Sequence, residues 1–176
     1  MSNRNGSAYA LTTFARVITG HEEELEAYLA ALPRGADGPF ARLEGVHLAR
    51  LQLFRKLVHQ GPSQVPDPLR HAHLVVTMTF NGDLEPQLDA LAEVVPECDD
   101  WWGHCVRYPG RADRAAFHAY VRSIQERTSL FSSPFPNATV SDVKESVALR
   151  SAVIDFAAAT QHLDAAELQR RFQETF

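Results

Sequence analysis

The sequence predicts an α+β fold in which a four-stranded antiparallel sheet carries helices on one face. Residues alternate between apolar and polar in extended segments that begin near Tyr9, Val46 and His73. Helical spacing follows the first and third of these segments, at Leu25, Tyr28, Leu29 and Leu32 and again at Leu84, Leu88, Leu91 and Val95. The second and third extended segments are consecutive. The order strand, helix, strand, strand, helix is that of the split β-α-β arrangement, which places the first and third strands at the centre of the sheet.

Residues 1–7 are polar and read as a disordered tail, leaving 8–176 as one domain with a C-terminal helical extension. In Tyr9–Ile18, Leu11, Thr13, Ala15 and Val17 share one face, and Thr12, Phe14, Arg16 and Ile18 the other. Thr19-Gly20 ends that strand. Glu22, Glu23 and Glu24 then open a helix, where carboxylates complement the helix dipole. A solvated helix start is favoured over a metal site for this glutamate run. Pro33 and Gly35 stop the helix, and Phe40–Leu43 reads as a short turn.

Val46–Leu57 is the second strand. His47, Ala49, Leu51 and Leu53 alternate with Leu48, Arg50, Gln52 and Phe54. His59–Arg70 contains Gly61, Pro66 and Pro68 and reads as a surface loop long enough to serve as a lid. In His73–Phe80, Leu74, Val76, Met78 and Phe80 face the helices, opposite His73, Val75, Thr77 and Thr79. Asn81-Gly82-Asp83 is a turn whose aspartate can cap the next helix; Pro96 closes that helix. A third helix runs through Ala112–Glu126, and Ser129–Phe135 is a short strand candidate ended by Pro134 and Pro136. Thr139 caps a long last helix with Val140, Val143, Val147, Val153 and Phe156 on its apolar face, and Asp164 caps a terminal one.

With 176 residues, 45% apolar and 9% aromatic, the chain suits one domain with a true core. A net charge of −5 argues against a nucleic-acid binder and against attraction to anionic membranes. There is no run of apolar residues long enough for a transmembrane helix and no signal-peptide pattern, so a cytoplasmic protein is expected. Cys98 and Cys105 fit neither a redox pair nor a zinc half-site and read as reduced thiols.

Val46-His47-Leu48-Ala49-Arg50, Phe80-Asn81-Gly82-Asp83, Trp102-Gly103-His104-Cys105, Tyr108-Pro109-Gly110 and Pro136-Asn137-Ala138-Thr139-Val140 together resemble a group of uncharacterised bacterial proteins of ferredoxin-like type, over residues 9–172. More distantly, the layout resembles the dimeric α+β barrel superfamily. That superfamily includes small monooxygenases, muconolactone isomerases, polyketide cyclases, chlorite dismutases and dye-decolourising peroxidases. The resemblance implies a homodimer in which two open sheet faces meet, with a small-molecule pocket between sheet and loops. The Gly-x-x-Asp-Gly signature of the peroxidases is absent.

The segment Glu97–Gly110 holds both tryptophans and both cysteines. Its His104 is the leading candidate for acid–base chemistry, because imidazole exchanges protons near neutral pH. Trp101, Trp102 and Tyr108 are expected beside it as substrate-binding walls. His104 is also the residue that would ligate haem axially, with Trp101 and Trp102 as walls of the haem pocket, the alternative to an absence of cofactor. His73 and His47 are further catalytic candidates. Arg50, Gln52 and Thr77 are expected to line the ligand side of the open face, with Arg50 able to grip a carboxylate or phosphate. His47 and Arg50 cannot share a pocket on a regular strand unless a bulge intervenes. His71-x-His73 becomes a metal site only if a third ligand converges, and no resident metal is expected. Dinucleotide, phosphate-loop, hydrolase-elbow and His-Glu-x-x-His signatures are all absent. The expected function is that of an enzyme acting on a small organic metabolite, with haem binding or non-catalytic ligand or partner binding as alternatives.

Overall fold

In the computed structural model, which describes residues 3–57, 61–62, 65 and 69–176, β1 (Arg4–Asn5), β2 (Ala8–Arg16), β3 (Val46–Phe54) and β4 (His73–Asn81) form one antiparallel sheet. The strand order is β1-β2-β4-β3, with the first and third of the expected long strands at its centre. The helices are α1 (Glu22–Ala31), α2 (Leu84–Val94), α3 (Cys98–Gly103), α4 (Arg114–Ile124), α5 (Val140–Thr160) and α6 (Ala165–Thr175). None of the described helices is long and apolar enough to cross a membrane. The chain divides into two compact units, Met1–Val140 and Ser141–Phe176.

Alternation gives the sheet two different faces. Leu11 and Ala15 of β2 and Leu74, Val76, Met78 and Phe80 of β4 are buried in the core with Leu25, Leu88, Leu91, Trp101, Trp102, Phe117 and Val121. Each Leu, Val, Met or Phe side chain among them contributes about 1.5–3 kcal/mol on burial. Leu25, Leu29 and Leu32 sit four and three residues apart, so one face of α1 meets the sheet. On the opposite sheet face Arg16, His73 and Phe54 form a cross-strand row, followed by Phe14, Val75 and Gln52, then Thr12, Thr77 and Arg50. Phe14 is exposed there, and so is Leu48.

Two expectations are corrected at the β1 edge. Ser129–Phe135 forms no strand; the fourth strand is Arg4–Asn5, inside the stretch expected to be a tail. Asn5 pairs with Ala8, so Gly6-Ser7 is a two-residue hairpin loop, and Gly6 takes φ +61° there. The segment of the missing strand lies alongside instead. Pro134 and Pro136 have no N–H to give a ladder. The Pro136 carbonyl accepts from the Ser7 amide at 2.8 Å, the Phe131 carbonyl from Asn5 Nδ2 at 3.4 Å, and Asn3 Oδ1 accepts from the Thr128 amide at 2.9 Å. A Cβ on Gly6 would meet the Pro136 carbonyl oxygen at 2.4 Å, so only glycine fits.

Most other elements lie within a few residues of their expected ranges, but α3 was not expected: Cys98–Gly103 is a short helix inside the aromatic segment between α2 and α4. Phe40–Leu43 overlaps a 3-10 turn at Pro39–Arg42, preceded by another at Gly35–Asp37. Asp83 stands before α2 without a capping hydrogen bond and pairs instead with Arg4. The expected lid over His59–Arg70 falls largely outside the described residues.

In the second unit, Asp164 caps α6 as expected, accepting from the amides of Ala166 at 3.0 Å and Glu167 at 2.9 Å. Phe156 of α5 meets Phe172 and Phe176 edge-on, with ring centroids 5.9 and 5.6 Å apart.

Candidate functional site

The β3 edge carries the first feature. Val46 pairs with Phe80 and Leu48 with Thr79, so His47 is an extra residue, a β-bulge. Bulges re-aim side chains at sheet edges. This one moves Val46 onto the core side with Ala49 and Leu51, and leaves His47 exposed beside them. His47 then lines a groove of about 570 Å³ with Leu29 of α1, Leu32 just past its end, Arg34, Phe40, Leu51 and the exposed Leu48 at its rim. Arg34 and His47 are its chemically versatile groups in an otherwise largely apolar wall.

The expected site residues do not gather in one place. His73, Thr77, Arg50 and Gln52 share the open sheet face, where Arg50 and Thr77 are cross-strand partners. Trp101 and Trp102 do not form pocket walls, because both indoles are fully buried in the core. Trp102 is packed edge-on by Phe117 and Tyr120. Trp101 reaches the groove only indirectly, by stacking on Phe40 with centroids 5.4 Å apart. The haem reading used those indoles as walls, and their burial removes them from that role.

Tyr108 is half-buried and committed to its neighbours. Its hydroxyl donates to Asp99 Oδ1 at 2.6 Å, while Asp99 also accepts from the Arg111 amide at 3.0 Å and from Arg111 Nε at 3.1 Å. Burial first, then this hydrogen bond, holds the Tyr108 phenol far above its ordinary range. Tyr108 therefore acts as a proton-bearing structural donor. Asp99 ties α3 to the loop before α4, and Asp100 accepts from Tyr28 of α1 at 3.0 Å.

The thiols are equally inert. Burial pushes Cys98 up to about 11 and Cys105 up to about 12. A thiolate is the reactive form, so neither is a nucleophile near neutral pH.

His104 has company that the sequence did not single out. Its Nδ1 lies 3.1 Å from Nδ1 of His21 and 3.9 Å from Oε2 of Glu24. His21 stands at the N-terminal boundary of α1 and His104 at the C-terminal boundary of α3. One residue holds both. The Ile18 amide donates to the His104 carbonyl at 2.9 Å, and the Ile18 carbonyl accepts from the His21 amide at 3.0 Å. Among the described residues, this is the group of three ligand-type side chains that converges; no third ligand joins His71 and His73. A helix opening with histidine before a glutamate run was the available signal, but nothing in it announces a partner 83 residues away.

No protein-family model, curated protein or solved structure matches the chain.

Proposed function

We propose that this chain is an enzyme acting on a small organic molecule bound in the groove between α1, the 3-10 turns and β3. The observation that carries the reading is the bulge at His47, which presents an imidazole at a groove within the usual size range of ligand pockets, roughly 300–1,000 Å³. Leu29, Leu32, Phe40 and Leu51 suit an aliphatic or aromatic body, and Arg34 suits an anionic end. His47 is the acid–base group.

The test is a thermal-shift and native mass-spectrometry screen of small aromatic and aliphatic carboxylic acids. At least one acid should bind and raise the melting temperature, and Leu48→Trp, at an exposed groove position, should abolish that effect. Arg34→Ala should weaken binding, while His47→Ala should spare binding and stop conversion. Binding unaffected by Leu48→Trp would sink the reading, as would a screen without any binder.

The same reading includes a ferredoxin-like topology and a homodimer. The order of β2, α1, β3, β4 and α2 supports the first. A semi-apolar open face with Phe14 and Leu48 exposed supports pairing of two sheets. Sedimentation equilibrium should give twice the chain mass at micromolar concentration; a monomer would count against the dimer alone.

A further inference from the structure

We infer that His21, Glu24 and His104 bind a divalent transition metal of the zinc class, at a site separate from the groove. Two nitrogens each about 2.0–2.1 Å from a tetrahedral zinc lie about 3.3 Å apart. The two Nδ1 atoms are already 3.1 Å apart. A hydrogen bond between neutral rings accounts for that distance alone. It does not account for a carboxylate closing on the same space, with all three ligand atoms within 4.8 Å of one another.

The neighbouring carboxylates divide the work. Glu22 accepts from the Gly20 amide at 2.7 Å, and Glu23 and Glu26 hold Arg55 at 2.6 Å each. Glu24 is left facing His104. Its side chain is 74% exposed, so the closure needed to shorten 3.9 Å to a ligand geometry falls to a solvent-facing carboxylate. The histidine backbones are already tied together through Ile18, so only a rotation of each ring is needed to turn the facing Nδ1 atoms toward a common point. The N-terminus of α1 presents roughly half a positive charge, which opposes a cation. Glu22, Glu23 and Glu24 offset it.

Two imidazoles and one carboxylate form the borderline donor set that suits zinc and its neighbours over magnesium or calcium, which take oxygen ligands. Three protein ligands leave the fourth tetrahedral position for water or an exogenous ligand. None of the three ligands lines the groove, whose nearest α1 residue, Leu29, stands five residues and about 7.5 Å of helix rise beyond Glu24.

The experiment is isothermal titration of the untagged, metal-free full chain with zinc chloride, paralleled by visible absorption of the cobalt(II) form. One equivalent should bind, with the intense d–d bands of a four-coordinate cobalt site. His21→Ala and His104→Ala should each weaken binding by at least ~100-fold, and Glu24→Gln by roughly 10-fold. Zinc should raise the melting temperature of the parent chain and leave the histidine variants unmoved. Absence of stoichiometric binding, or parental affinity in either histidine variant, overturns the site. Should the histidine variants fail to fold, Glu24→Gln decides: its exposed position leaves folding intact, and unchanged affinity together with unchanged cobalt bands overturns the assignment.

Discussion

The Ile18 amide donates to the His104 carbonyl at 2.9 Å, so the end of β2 and the end of α3 are joined by backbone. Val17 and Cys105 face each other as a single antiparallel bridge just beside that bond, and the Val106 amide donates to the Arg16 carbonyl at 2.9 Å. The aromatic segment is thus stitched to the sheet at three successive residues. The two histidines inherit their relative positions from this backbone, and their rings follow.

Ile18→Pro removes the N–H from that stitch. The His104 carbonyl then loses its donor, at a cost of about 1–3 kcal/mol. Urea unfolding should show a lower midpoint with an unchanged slope, and the imidazole proton resonances of His21 and His104 should move together. Unperturbed resonances would separate the stitch from the positioning of the rings.

The thiols make a second case. Cys98 and Cys105 should resist a disulfide reagent at pH 8 in the folded chain and react fully in denaturant. The same burial predicts a pH effect. Unfolded thiols ionise near pH 8.5–9, whereas the buried ones hold their protons to about 11 and about 12. The folded state therefore binds more protons across that window, and stability falls as pH rises through it. Below pH 8 these two groups contribute no slope. Replacing both by Ala should flatten the alkaline limb of a stability–pH curve.

Arg107 takes φ 66°, a left-handed backbone that costs a side-chain-bearing residue about 1–2 kcal/mol. The turn swings Tyr108 back toward Asp99 and is repaid by that hydrogen bond. Arg107→Gly should relieve the strain at an exposed position and raise the melting temperature by a few degrees. A lower melting temperature would mean that the arginine side chain stabilises the loop more than its backbone strains it.

Much of the sheet was legible in the sequence. The core face of β4 follows from alternation, and the Leu25, Leu29 and Leu32 spacing oriented α1 correctly, whereas β2 has two mixed faces and its phase is set only by pairing with β4. What alternation could not reveal was a break in itself. The bulge at His47 shifts the pairing by one residue, and only the partner strand shows it. β1 has two residues, too few for any period. The tryptophans drew attention as potential walls because composition cannot separate a buried indole from one lining a pocket. His104 was recognised, but its meeting with His21 depends on long-range pairing that no local pattern encodes.

The sheet also has a polarity. Along the outer edge of β2, the Ala10 amide donates to the Asn3 carbonyl at 2.8 Å, the Thr12 carbonyl accepts from the Glu126 amide at 2.8 Å, and the Arg16 carbonyl accepts from Val106. The β1 hairpin and two distant pieces of chain suture that margin from end to end. The outer margin of β3 has no such cover over residues 48–54 among the described residues. An unpaired strand edge is a template for another extended chain. Among the described residues, the free margin of this sheet is therefore the β3 side, with the extra residue at His47 breaking its regularity at one end. A peptide recruited as a further strand would align beside Leu48–Phe54, and could not do so along β2.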